Sequence, residues 1–425
     1  MSSKSNALRV LSAPSPICGQ SYALSKGLVQ LGQDAKSGIL KVSSVDHNKY
    51  SYPYDIDLPI EGNFKTGTKA WLKENIDKYD VFHFHARSFF HFTPWPAFPT
   101  ALDIVALKLA GKKVFFHFRG SEVRRAAVQL ERNPYNYVES APDAFARRDQ
   151  DKKLFIDFIK AICDGVFVVD REVQENVGGA LELPIILDLN EWDFVGQVNE
   201  SRPLVIHAPS HQGIKGTAEV INAVNELKQE GLEFDFKLIE GLSITEAREL
   251  YERSDIIIDQ LKMGWFGTLT VEAMALGKPV ICYLREDLLK ETDRFPIVNT
   301  NPDNVKDKLK KLIIDSDLRN ELAYSGRQYV IENHCHVKAA KLALKAYEDA
   351  IENPKPVNLN SVFEYMFEHD TRAGGWREKH RAGFLKEIKL LKNQHAKELY
   401  EIKRKNPFFR LANLVTKVQK KMGIK

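Results

Sequence analysis

HAPSHQGIKGT, residues 207–217, sets one lysine, Lys215, and two glycines, Gly213 and Gly216, between a short apolar run and a helical one. Backbone N–H groups at a helix start favour an anion, and an adjacent lysine adds a full positive charge. Glycine lets a ligand come close to the backbone. This suits phosphate binding, although a solvated lysine in an ordinary strand-to-helix turn has the same pattern. The Walker pattern GxxxxGK[ST] and the GxGxxG fingerprint are both absent. A second stretch, GWFGTLTVEAMALGKPV (264–280), holds a single carboxylate, Glu272, among apolar residues. A helix beginning near Thr268–Thr270 puts Glu272 in its first turn, where the helix dipole favours negative charge. Glu272 is therefore either a helix-terminus charge or a carboxylate that accepts two hydroxyls of a sugar ring.

Three further groups are weighed. His117, in KKVFFHF (112–118), sits on an alternating strand and faces either a cleft or the core. His83 and His85, in DVFHFH (80–85), share one strand face, but no third ligand stands at a recognisable spacing. A structural role is expected for them, and no metal. Asp55-Ile56-Asp57 has the DxD form of metal-dependent transferases, yet it lies in a Pro- and Tyr-rich stretch read as a loop and is assigned to chance.

The elements that must hold these residues alternate between strand and helix. RVLSAP (9–14), DVFHFH, KKVFFHF, DGVFVVD (164–170) and LPIIL (183–187) read as strands, with YALSKGLVQLG and DIVALKLAG as helices among them. After VGQVNESRP (195–203) the pattern restarts. LVIHAPS, FDFKLIEG, DIIIDQL and PVICYL are strands, and TAEVINAVNELKQEG, ITEARELYERS and VEAMALG are helices. Alternation of this kind predicts two open, doubly wound parallel sheets, each covered on both faces. Ligands in such folds bind at the carboxyl ends of the strands, so a cleft between two such domains is the expected site. The expected divisions are 8–196, 197–352 and a helical basic tail, 353–425.

At 425 residues the chain exceeds one ordinary core. Cys18, Cys163, Cys282 and Cys335 are scattered without CxxC spacing, so reduced thiols are expected rather than a disulfide framework or zinc site. The amino terminus lacks a signal-like apolar region, and no run of about 18 apolar residues occurs. A cytoplasmic protein is expected, with any membrane contact on the cytosolic face.

The segment from HAPS…IKGT through DIIIDQL…GWFGTLTVEAMALGKPVICY to GRQYVIENH resembles the donor-binding domain of nucleotide-sugar glycosyltransferases. The family it is similar to is retaining family 4 (glycosyl transferases group 1), with the two-domain GT-B fold. SPICGQ, FHFH, FRGSEVR and LPIILDLNEW extend the resemblance over residues 8–352. It implies a nucleotide-sugar donor, a glycan or lipid-linked acceptor, retention of configuration, and neither cofactor nor metal. It also implies roles for particular residues. Lys215, followed by Gly216, would neutralise the donor diphosphate, and Glu272 would bind the ribose hydroxyls as the second of two paired glutamates. Gly19 would let the first loop approach the diphosphate, while Phe266, Gly267 and Thr268 would offer backbone contacts. Three departures are visible. The first paired glutamate would fall at Gly264. The arginine expected before Lys215 is missing, with Ser210, His211 and Gln212 in its place. Arg119 stands where a histidine near the reacting carbon is usual, with His117 two residues earlier and Glu122 following. A catalytically inactive sugar-nucleotide-binding or scaffold protein of the same fold is the alternative.

Net charge is +4, but residues 371–425 hold 16 Lys or Arg against 4 Glu, a balance of +12. The tail combines a basic helix, about 376–405, with a stripe of Phe408, Leu411, Val415, Val418 and Met422. Such a stripe suits an anionic membrane surface, or equally oligomerisation through the tail as a coiled coil. A nucleic-acid partner is not expected, because no aromatic platform accompanies the charge. Flotation with anionic liposomes is expected of the full chain and should vanish on deletion of 371–425.

Overall fold

The computed structural model describes residues 7–15, 17–40, 52–58, 64–89, 101–145, 149–198 and 201–368; the tail expectations for 371–425 lie outside them. Two parallel sheets belong to one compact unit ending at Tyr365. The first contains β1 (Arg9–Ala13), β2 (Asp34–Leu40), β3 (Ile56–Leu58), β4 (Val81–His85), β5 (Lys113–Phe118), β6 (Gly165–Val168) and β7 (Leu181–Glu182), in the order β3-β2-β1-β4-β5-β6-β7. The second contains β8 (Leu204–His207), β9 (Asp235–Leu238), β10 (Ile256–Ile258), β11 (Val280–Cys282) and β12 (Val298–Asn299), in the order β12-β11-β10-β8-β9. Central strands such as VFHFH and III are buried at every residue. That explains their near-continuous apolar character, since helices cover both faces of a parallel sheet.

Sheet alternation divides the first core. Phe82, Phe84, Val114, Phe116 and Phe118 pack with the helices Leu102–Leu109 and Asp149–Ile162. Val10, Val81, Phe115 and Phe167 face the helices Gln20–Gln30 and His336–Glu352. Residues 336–352 thus complete the first sheet, although sequence order assigns them to the second domain. The chain returns through a parallel bridge between Leu187 and Cys335.

Several local expectations need correction. LPIIL forms no strand beyond that bridge at Leu187; β7 lies just before it. Asp55-Ile56-Asp57 is not in a strandless loop, because β3 pairs with β2 and the Asp55 carboxylate accepts from the Ser37 N–H and hydroxyl at 2.7 and 2.8 Å. The acid is fully used in docking this edge strand. No helix among the described residues is long and apolar enough to cross a membrane.

The close crossing of Gln20–Gln30 and His336–Glu352 depends on Gly27. A Cβ there would lie 2.3 Å from the His336 carbonyl oxygen and 2.7 Å from the Ala340 Cβ. Gly27→Ala must push the helices apart and is expected to cost about 1–3 kcal/mol, read as a lower urea midpoint.

Candidate functional site

In each sheet the strand order reverses at one place, the point where doubly wound sheets usually bind ligands. In the first sheet it lies between β1 and β4, beneath the loop that follows β1. That loop contains Cys18 and Gly19, both with left-handed φ values of 47° and 65°. In the second sheet it lies between β8 and β10, beneath the loops carrying Lys215 and Asp259. The backbone order alone therefore brings three loops from distant parts of the sequence to these two points.

Lys215 ends a four-residue helical turn that His211 caps, and Gly216 follows with φ 73°. Its ammonium is neither solvated nor free. It donates to Asp259 Oδ1 at 2.6 Å and to Gln260 Oε1 at 2.7 Å. The other Asp259 oxygen accepts from the Gly267 N–H at 3.2 Å and the Thr270 hydroxyl at 2.8 Å. These contacts, led electrostatically by Lys215, outweigh burial and hold the Asp259 carboxyl below its ordinary range. One carboxylate thus fixes the lysine and the start of the helix Thr268–Leu276.

That arrangement corrects the first-turn reading of Glu272. The helix begins at Thr268, its first turn has no acid, and Glu272 falls in the second turn. Asp259 supplies the negative charge at the helix start instead. Glu272 is 8% exposed, and burial, reinforced by Asp259, pushes its carboxyl up to about 8. Its field reaches Cys18 and Tyr52 of the first domain. The Cys18 thiol, raised chiefly by burial, exchanges hydrogen bonds with Thr268 and Tyr52. The first loop, Thr268 and Glu272 therefore lie together.

The other expected residues divide. A Cβ on Gly19 would lie 3.0 Å from the Tyr52 ring, so its glycine is required both by φ and by space. Phe266 is 6% exposed, and its ring packs with Trp265, Phe295 and His334 in the core; only its backbone stands near the helix start. His117 is fully buried beside His83 and His85. The third histidine that local spacing did not reveal is thus supplied by a neighbouring strand. Arg119 is half-buried and has no ion-pair partner among the described residues. Its Nη1 lies 3.4 Å from His117 Nε2, and burial weakens its hold on its proton to about 10.

Gly264 has φ 90°, and a Cβ would lie 2.7 Å from Arg285 Cδ. A glutamate does not fit there. Arg285 is 1% exposed and grips Glu175 of the first domain through Nη1 and Nη2 at 2.7 and 2.9 Å. Asn133 donates to the Lys262 carbonyl at 2.7 Å, and Ser140 donates to the Gly213 carbonyl at 3.3 Å. Sequence reasoning missed Tyr52, Asp259, Gln260, Arg285 and Glu175. Only Asp259 had a local signal, an acid directly after the apolar run III.

Residues 213–329 match the family glycosyl transferases group 1. That span covers the Lys215 loop, Asp259 and Glu272. No curated protein matches the sequence. Among solved structures, sucrose-phosphate synthase from Thermosynechococcus elongatus aligns with TM-score 0.54 and 15% identity, over 82% of this chain and 96% of that one. HepE of Anabaena, in complex with UDP-glucose, gives 0.52 and 12%, over 80% and 100%. The catalytic domain of starch synthase IV from Arabidopsis thaliana, bound to ADP and acarbose, gives 0.52 and 12%, over 82% and 100%. The fold is GT-B, two Rossmann-like α/β domains.

The raised carboxyl of Glu272 gives a signed pH expectation. Its folded-state value, about 8, lies above the ordinary 4.5. Folding then favours the protonated form, and burial costs stability increasingly as pH rises from about 4.5 to 8. Glu272→Gln should be more stable than the parent by about 2–4 kcal/mol at pH 8, and by no more than about 1 kcal/mol at pH 5. Urea denaturation at the two pH values reads the difference; a pH-independent gap contradicts it.

Proposed function

We propose that the chain is a glycosyltransferase that moves a sugar from a nucleoside-diphosphate donor to a glycan or lipid-linked acceptor, with retention and without a metal in the transfer step. The observation that carries this is the meeting of the first loop with Thr268 and the uncharged acid Glu272. The family match at residues 213–329 and the UDP-glucose and ADP named for two structural neighbours support a nucleotide-sugar donor.

In this reading a protonated Glu272 both donates to and accepts from the ribose diol. Breaking the sugar–phosphate bond leaves positive charge on the sugar and added negative charge on the diphosphate. Arg119, without an ion-pair partner among the described residues, faces that leaving group, and Lys215 contributes while anchored to Asp259. Preorganised charge of this kind stabilises a transition state without reorganising during the reaction. Gly19 and Gly267 permit close backbone approach, and Gly216 lets the chain turn beside Lys215. Closure of the two domains excludes water and limits donor hydrolysis. The acceptor approaches from the first domain, and the basic tail holds the enzyme at a cytosolic membrane face during cell-surface polysaccharide synthesis.

A second reading, a sugar-nucleotide-binding or scaffold protein without turnover, is favoured by two observations. Arg285 excludes a glutamate at Gly264, and Asp259 already neutralises Lys215. A panel of nucleotide sugars, assayed for nucleotide release with and without glycan and lipid-linked acceptors, separates the two readings. Acceptor-dependent release is expected; tight binding without release supports the scaffold. Arg119→Ala and Lys215→Ala should each weaken nucleoside-diphosphate binding by about tenfold or more, as loss of a charge-assisted contact implies. Nucleoside binding should change by less than about twofold. Equal losses for both ligands contradict the diphosphate placement.

A further inference from the structure

The face of the first sheet beneath helices Gln20–Gln30 and His336–Glu352 contains three imidazoles that the proposed transfer reaction does not use as ligands. His83 and His85 are two residues apart on β4, and His117 stands opposite His85 in the β4–β5 register. All three are 0% exposed. The rings of His83 and His85 stack at 4.6 Å between centroids, and His117 lies 5.7 and 5.5 Å from them. One nitrogen from each ring lies within 4.8 Å of the others.

Burying three imidazoles in an apolar layer is costly unless both nitrogens of each ring are satisfied. Here only one side of each is held. His83 Nδ1 meets the Tyr347 hydroxyl at 2.6 Å, and His85 Nε2 meets the Ser12 hydroxyl at 2.8 Å. His117 Nε2 lies 3.4 Å from Arg119 Nη1, and the Leu183 backbone also interacts with this ring. His83 Nε2, His85 Nδ1 and His117 Nδ1 are buried without a hydrogen-bond partner among the described residues.

We propose that His83, His85 and His117 form a binding site for one divalent transition-metal ion of the zinc class. Three neutral imidazoles suit zinc, with a fourth position for water or an anion. A point equidistant from three atoms no more than 4.8 Å apart lies at most about 2.8 Å from each, so each ring closes by at most about 0.7 Å to reach a normal zinc–nitrogen length. The hydroxyls of Tyr347 and Ser12 can accept the outer N–H groups, which leaves inward lone pairs on His83 and His85. Outer partners of this kind fix tautomer and ring orientation in metal sites. His117 offers one ring nitrogen to the same point. Burial also keeps these rings unprotonated at neutral pH, the form that binds metal.

The test uses the tag-free full-length chain, stripped with chelator and titrated with Zn²⁺, and separately with Co²⁺. Expected are one metal equivalent by elemental analysis, the visible absorption of tetrahedral Co²⁺, and a melting temperature that rises with Zn²⁺ and falls back with chelator. His85→Ala and His117→Ala should abolish the cobalt band. Tyr347→Phe, which keeps the ring and removes the hydroxyl on His83, should weaken metal binding by about 10–100-fold while the metal-free protein still melts cooperatively. No retained metal at micromolar concentration overturns the proposal and leaves a buried water as the occupant. Unchanged binding in a folded His85→Ala/His117→Ala double variant also overturns it, since the metal would then sit elsewhere.

Discussion

The Asp259 carboxylate is the contact on which the donor-side geometry depends. It stands immediately after a strand buried at every residue and receives the Lys215 ammonium, the Gly267 N–H and the Thr270 hydroxyl. Each of those groups belongs to a loop or helix that otherwise has few reasons to hold one position. Removing one partner of such a buried pair leaves an uncompensated charge, so the cluster acts as a unit. With the helix start already satisfied, Glu272 is released from any capping duty. Burial in that second turn is what pushes its carboxyl up to about 8.

Polar ties join the two domains beside an apolar cluster that runs through both. Arg285 with Glu175, Arg171 with Asp293 and the Leu288 carbonyl, and Asn133 with the Lys262 carbonyl all cross between them. Gly264 is part of this system, because its missing side chain leaves room for the Arg285 stem. The departure from the paired-glutamate pattern is therefore a substitution of one structural solution for another. The space a side chain at 264 would need is taken by a buried guanidinium that joins the two domains.

Much of this was legible in the residues. VFHFH, VFFHF and VFVV are runs of apolar and aromatic residues that only a doubly covered sheet accommodates, and both sheets follow from their alternation with helices. β2 escaped because DAKSGIL opens with charged and small residues, and β3 because an edge strand of three residues has almost no periodic signal. At the site, Lys215, Gly216 and Glu272 stand out locally. The anchoring of Lys215 by Asp259 does not, since it arises only when β8 and β10 become neighbours. His117 joined His83 and His85 for the same reason: strand adjacency, not sequence spacing, sets that distance.

The return of residues 336–352 to the first sheet makes the two halves topologically interleaved. A fragment cut at the linker near residue 197 would lack the helix that covers Val10, Phe115 and Phe167. Part of that apolar face, the part the helix Gln20–Gln30 does not cover, would then meet water. The chain passes between the halves twice, near Leu187 and near Cys335, and those crossings lie side by side. Any opening of the crevice must then pivot about that double strand of backbone, which permits rotation and resists sliding or separation.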